Sequence, residues 1–160
     1  MKRSKTHKQK GFTIVELLIV IVVIGILAAI TVVAYNGIQS RTKITKSQSD
    51  LTSMQKLLSL YHADNGSYPT TIVSGTRHWF YTNNQGDGFL PGIVPKYAPK
   101  LPRPTAGAYI YNSDGTNYKI MRYSAIPAGE WAQVPANMID ASGTANKDRY
   151  GYWTPGAVGF

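Results

Sequence analysis

From Phe12 to Tyr35 the chain reads FTIVELLIVIVVIGILAAITVVAY, 24 residues in which Glu16 is the only charged side chain. At about 1.5 Å per helical residue this run spans roughly 36 Å, against a bilayer hydrocarbon core of about 30 Å. It is long enough to cross a membrane. A buried helix in a water-soluble protein would need shielding on every side, which the remaining chain could hardly provide. Beyond Tyr35 the pattern turns amphipathic. Ile44, Leu51, Met54, Leu57, Leu58 and Tyr61 recur at spacings of three, four or seven, with Arg41, Lys43, Lys46, Asp50 and Lys56 between them. That is helical periodicity. The spacing predicts one helix from about Phe12 to His62, far above the usual length, which only a partner along it makes sensible. The stripe is narrow enough to lie on a sheet while the opposite face meets water or a neighbouring subunit. Asp64-Asn65-Gly66 then supplies turn residues, and Tyr68-Pro69 ends any helical continuation.

From Thr70 onward the composition shifts to Gly, Pro, Tyr, Asn, Ser and Thr, with short β-prone runs between turn signals. Ala108–Asn112 and Asn117–Tyr123, joined through Asp114-Gly115, predict a hairpin with Tyr109 and Tyr111 on one face. His78–Thr82, Trp131–Val134 and Tyr150–Trp153 are further candidate strands. Leu90–Pro104 holds five prolines in fifteen residues. It predicts an extended connector and excludes a central strand. The predicted fold is α+β: a long N-terminal helix packed on a small antiparallel sheet.

Charge changes the picture at the N-terminus. Of the net +9, five charges (Lys2, Arg3, Lys5, Lys8 and Lys10) sit in the first ten residues with no acid among them. Basic residues crowded before the span predict a cytoplasmic N-terminus, with residues 36–160 outside. An ordinary secretory signal has a shorter apolar stretch and a small-residue cut site, and the nearest match would be a cut after Ala29 or Ala34. Against it stands Gly11 at the border of charge and apolar run, followed by Phe12 and an acid four residues later. A carboxylate inside lipid costs about 2.5 to 3.5 kcal/mol at the helix centre. If a peptidase cuts after Gly11, the new amine of Phe12 lies one helical turn from Glu16, because residues i and i+4 share a face. That amine could neutralise Glu16 within one chain, or between neighbouring copies. A Glu snorkelling to the interface is the plainer alternative.

Lys10-Gly11-Phe12-Thr13-Ile14-Val15-Glu16-Leu17-Leu18-Ile19-Val20 resembles the prepilin cleavage and methylation motif of type IV pilins. The resemblance implies cleavage between Gly11 and Phe12 by a prepilin peptidase, N-methylation of Phe12, and a role for Glu16 in recruiting or registering subunits. It implies that Leu17, Leu18, Ile19, Val20, Ile21, Val22, Val23, Ile24, Gly25, Ile26 and Leu27 form a membrane anchor first and a filament core later. Type II secretion and competence pseudopilins share the motif, so it points to the superfamily and not to the task. A weaker similarity continues through Leu57–Pro69, like the helix end of many pilins and pseudopilins. Two features depart from the best-known pilins. There is no cysteine for the C-terminal disulfide, which leans toward Gram-positive-like or otherwise disulfide-poor members, and no proline kinks the span. Gly25, Asn36 and Gly37 remain as candidate places for a bend.

Catalysis needs convergent acids, bases or nucleophiles, and these are missing. With no cysteine, thiolate metal sites and Cys nucleophiles are excluded. His62 and His78 are too scattered for a metal site. GxSxG, HExxH and Walker A motifs are absent, so an ATPase driving filament growth would be another polypeptide. Asp87-Gly88 and Asp114-Gly115 read as turns and lack the spaced carboxylates of calcium loops. Eleven tyrosines with Lys119, Arg122 and Tyr123 close together could bind single-stranded DNA. The favoured reading is instead a sheet whose tyrosines pack on the helix and whose basic residues are solvated.

The reading is therefore a structural, non-enzymatic subunit without cofactor or metal. It comprises a leader (1–11), a transmembrane or filament-core helix (12–35), an amphipathic continuation (36–62) and a β-rich head (63–160). The resemblance implies a single-pass precursor in the cytoplasmic membrane, then an extracellular type IV pilus-like homo-oligomeric filament. Its expected partners are a prepilin peptidase, an assembly platform and a separate ATPase. The alternative is a pseudopilin of a type II secretion or DNA-uptake machine.

Overall fold

The computed structural model of the chain describes residues 11–124, 126–139 and 147–160. The leader residues Lys2, Arg3, Lys5, Lys8 and Lys10 lie outside them. Helix α1 spans Ile14–Asn65 and runs without interruption through Gly25, Asn36 and Gly37. It ends where Gly66 adopts φ +73° and its N–H donates to the His62 carbonyl at 2.8 Å, a left-handed cap that glycine takes without strain. The end falls three residues beyond the predicted His62, because Ala63, Asp64 and Asn65 are still compatible with the last turn.

The chain forms two compact units, residues 1–38 and 39–160. In the first, every described side chain from Phe12 to Ile38 is exposed. In the second, α1 buries Ile44, Ser47, Leu51, Met54 and Leu58, alternating steps of three and four that keep one stripe facing inward. The stripe packs with Tyr109, Tyr111, Ile120 and Tyr150 in a single core. Tyr109 donates to Asp50 at 2.6 Å, and burial, with Asp50 beside it, pushes the phenol well above its usual range. The fold is α+β, as the residue pattern predicts.

The head is built on a four-stranded antiparallel sheet in the order β3-β4-β5-β6, comprising β3 (Phe80–Tyr81), β4 (Ala108–Ser113), β5 (Tyr118–Tyr123) and β6 (Arg149–Trp153). The β4–β5 register runs from Ala108 opposite Tyr123 to Ser113 opposite Tyr118. In the turn between them Asp114 Oδ1 accepts the N–H groups of Asn117 at 2.7 Å and Thr116 at 2.9 Å, and Gly115 sits at φ +95°. These are the turn roles expected of Asp-Gly. Tyr109 and Tyr111 share the helix-facing side, while Ala108, Ile110 and Met121 pack on the opposite side with Trp79 and Tyr81. A separate hairpin of β1 (Ile72–Val73) and β2 (Thr76–Arg77) turns through Ser74 and Gly75, both at positive φ.

Four expectations are corrected. Trp131–Val134 is not a strand: helix α3 (Ala128–Trp131) occupies its start, because Pro127 opens a turn whose carbonyl accepts the N–H groups of Glu130 and Trp131. His78–Thr82 contributes only Phe80 and Tyr81 to the sheet. Thr82 begins the short helix α2 (Thr82–Gln85), and the Gln85 side chain takes the Tyr81 N–H at 2.7 Å. Leu90–Pro104 contains no strand, but it is folded rather than extended through Pro91–Tyr97, since Leu90, Ile93 and Leu101 are drawn into the core. Finally, Lys119 and Arg122 are buried, not solvated. Lys119 Nζ donates to main-chain oxygens of Val158 and Phe160 at 3.3 and 3.4 Å, and Arg122 pairs with buried Glu130 of α3 at 3.3 Å.

Arg122 Nη1 makes no hydrogen bond, so the Arg122–Glu130 pair is under-satisfied. Replacing Glu130→Ala leaves a buried guanidinium uncompensated and should cost about 3–5 kcal/mol, whereas Arg122→Met with Glu130→Leu should be close to neutral. Chemical denaturation of the full chain in detergent measures both. Asp114 is held below the usual carboxylate range, first by the Asn117 N–H and then by that of Thr116. A depressed carboxylate pKa stabilises above the unfolded value, near about 3.9, and that stability is lost as pH falls through the folded value. The wild type should therefore lose thermal stability below about pH 4 more steeply than Asp114→Asn.

Candidate functional site

The residues singled out by the motif lie where α1 begins. Gly11 and Phe12 precede the helix, and Phe12 is 87% exposed. A Cβ placed on Gly11 would meet nothing within 4 Å. Crowding inside the described chain therefore does not require glycine at this position.

Thr13 is the residue before the first helical turn, and Glu16 is the third residue within it. The Thr13 N–H and hydroxyl each donate to Glu16 Oε2 at 2.8 Å, and the Glu16 N–H donates to Thr13 Oγ1 at 3.2 Å. This is a reciprocal capping box, which satisfies two otherwise orphaned donors at a helix start. Its signal, Thr13-x-x-Glu16, is legible in the sequence as a capping pair, although Thr13 carries no charge. The helix dipole also favours a carboxylate in the first turn. Phe12, Glu16, Leu17 and Val20 line a shallow, almost wholly apolar recess of about 240 Å³.

From Leu17 to Leu27 the helix presents apolar side chains around its whole circumference. Among the described residues none of these is covered, and the most protected, Val23, is still 48% exposed. The same helix meets the length and apolarity needed to cross a membrane. Gly25 and Gly37 stand in open space within the helix.

The remaining candidate chemistry is dispersed. His62 packs its ring on Tyr68 at 4.5 Å, and His78 bonds through its main chain to Thr71 and Asn112. Asp87 accepts from Arg103 at 2.8 Å and from the Leu101 N–H at 3.3 Å, stapling the proline-rich segment to its own short helical turn. The patch considered for DNA does not form, because Lys119 and Arg122 are inside the head and only Tyr123 reaches its surface.

Comparison with known proteins agrees with the N-terminal geometry. The family model described as the prokaryotic N-terminal methylation motif matches residues 6–32. The chain is 34% identical over 126 residues to the type II secretion system core protein G of Escherichia coli K12, covering 79% of this chain and 69% of that protein. It is 36% identical over 126 residues to the protein of that name from Pseudomonas aeruginosa, covering 74% and 83% respectively. With that of Klebsiella pneumoniae the match is 29% over 157 residues, 94% of this chain and 98% of the relative. No solved structure matches the chain.

Replacing Thr13→Ala removes the hydroxyl arm of the capping box and should destabilise the first turn by about 1 kcal/mol. Hydrogen exchange of the full chain in detergent should show faster exchange at the Glu16 amide, with the β4 and β5 amides unchanged.

Proposed function

The chain belongs to the type II secretion system core protein G family, and on that premise we propose that it is a pseudopilin: a structural subunit of a short secretion filament rather than of a surface pilus. The observation that carries this reading is the similarity to those core proteins beyond the methylation motif, over three quarters or more of the chain. The motif alone suits pilins and pseudopilins equally. The relatives therefore favour what stands above as the alternative over the type IV pilus subunit.

The work is mechanical, not catalytic. Before assembly the apolar helix anchors the chain in the cytoplasmic membrane, with the head outside. A prepilin peptidase removes residues 1–11 and methylates Phe12. Assembly then moves Leu17–Tyr35 from lipid to the company of other copies, and the apolar surface stays out of water throughout. Glu16 is the assembly contact. In the single chain its carboxylate is occupied by Thr13, and a neighbour's Phe12 amine offers a stronger, charge-assisted partner. The unlike charges are then neutralised within an apolar environment. An assembly platform and an ATPase in other chains supply position and energy.

Gly11→Ala should leave the precursor uncut, so mass spectrometry showing a normal N-terminal Phe would reject the processing site. Glu16→Ala should be cleaved yet fail to assemble, and filaments of normal length in that variant would reject the assembly role. Deleting the chain separates the two filament readings: lost protein secretion without lost surface fibres supports the pseudopilin, and lost fibres with intact secretion supports the pilus subunit.

A further inference from the structure

Lys56 and Leu60 stand one turn apart on the exposed face of α1. With Thr52, Gln55, Ser59 and Tyr118 they line an open groove of about 660 Å³, within the size range of binding clefts. Gln55 Nε2 donates to the Tyr118 hydroxyl at 3.4 Å, and the Ser59 hydroxyl donates back to the Gln55 carbonyl at 3.0 Å. These polar groups are thus engaged within the chain. Leu60 and the Lys56 ammonium are not. No acid lines the groove, and Lys56 enters none of the ion pairs among the described residues.

The opposite charge stands at the β4–β5 turn. Of the carboxylates described in the second unit, Asp50, Asp64, Asp87, Glu130 and Asp148 each hold a cation. Asp114 does not. Its Oδ1 takes two N–H groups within the turn, which leaves Oδ2 to face outward. Arg77 is near enough to act on it electrostatically, but it forms no ion pair with Asp114, and its guanidinium lies over the Phe160 ring at 3.6 Å. The chain entering β1 is bonded to this turn: the Tyr68 N–H donates to the Gly115 carbonyl at 2.7 Å and the Thr71 N–H to the Ser113 carbonyl at 3.1 Å. Asp114 therefore shares one tip of the head with Ile72 and Val73.

Among the described residues of the second unit, the exposed large apolar side chains are Leu60, Ile72, Val73, Tyr123 and Val158. Three of these five belong to the groove or the tip. Each of the two places thus carries apolar surface that the chain leaves uncovered, together with one charge outside any ion pair, and the two charges are opposite. Between copies, an ammonium meeting a carboxylate fixes orientation, and burial of Leu60 against Ile72 or Val73 adds a non-directional attraction. Because groove and tip are different patches, the contact is heterologous. A copy that fills its neighbour's groove keeps its own groove open for the next, and such contacts propagate into an open chain of subunits unless the rotation closes it.

We propose that the Lys56–Leu60 groove of one copy receives the Asp114–Ile72–Val73 tip of a second copy of this chain, so that the heads make a contact of their own in the filament. The proposal rests on the reading of the chain as a filament subunit and names a surface through which its heads join.

The chain has no cysteine, so thiols can be introduced without background. In cells making the full chain with its secretion machinery, Leu60→Cys combined with Val73→Cys is oxidised with copper phenanthroline. Both positions are exposed, which leaves the core intact. The expected product is a ladder of dimers, trimers and longer species, because each copy offers one thiol on either side of the contact. Leu60→Cys combined with Tyr123→Cys should give no ladder. Adding Lys56→Gln or Asp114→Asn should lower the ladder yield about two- to fivefold, and both together no further than either alone. Asp114→Asn keeps a side-chain oxygen for the turn, so its effect reads charge rather than folding. Equal loss in Lys43→Gln would mean diffuse attraction and would overturn the contact, as would a thiol at position 60 joined only to its own counterpart or to a different polypeptide. Protein secretion is scored in the same cells with the wild-type chain deleted or restored. Secretion that depends on the chain, with no ladder, overturns the contact and leaves the pseudopilin reading standing. A ladder in cells whose secretion is indifferent to the chain supports the contact and removes that reading.

Discussion

Between Phe12 and Ile38 nothing in the described chain takes the apolar side chains out of water. Full burial of one Val, Leu, Ile or Phe is worth about 1.5–3 kcal/mol, and here they occur almost without a break around a whole helix. No arrangement of that segment alone can recover such an energy. It has to come from cover supplied from outside the segment, and under the proposed function that cover is first lipid and then other helices of the same kind. Glu16 is the one charged side chain between Phe12 and Tyr35. The capping box with Thr13 gives its carboxylate two hydrogen bonds of its own, which lowers the cost of holding an acid in an apolar setting.

The second half of α1 solves the opposite problem. From Ile44 to Leu58 it buries one stripe against the sheet and leaves the rest polar, so the head carries its own core. Tyrosines serve that core because each supplies large apolar area, and two of them also place the hydroxyl on a partner, Tyr109 on Asp50 and Tyr111 on the Pro69 carbonyl, whereas the buried Tyr150 hydroxyl makes no hydrogen bond. Two cations, Lys119 and Arg122, are buried in the same strand and tie the C-terminal segment and α3 to the sheet. One helix thus serves two regimes, uniform apolarity where the cover comes from outside and a narrow stripe where it comes from the chain.

The methylation motif that the family model matches lies within residues 6–32, and that stretch by itself suits a pilin or a pseudopilin equally. Only similarity along most of the chain to secretion core proteins draws the distinction.

The sequence by itself determined the elements whose cause is local. The apolar run, the amphipathic stripe, the Asp114-Gly115 hairpin, the strand at Tyr150–Trp153 and the helix stop at Gly66 all follow from periodicity or turn chemistry within a few residues. Tertiary structure decided what depends on a distant partner. Lys119 and Arg122 look like surface cations until Val158, Phe160 and Glu130 are brought to them. Trp131–Val134 has strand-like residues, yet Pro127 and the Glu130–Arg122 pair commit its start to a helical turn. Leu90–Pro104 is barred from the sheet by its prolines, and its compact path is set by the core that Leu90, Ile93 and Leu101 enter. Local patterns fix what a backbone segment can do. Burial of charge and the course of a loop are fixed by whatever surrounds them, and those neighbours come from other elements of the fold.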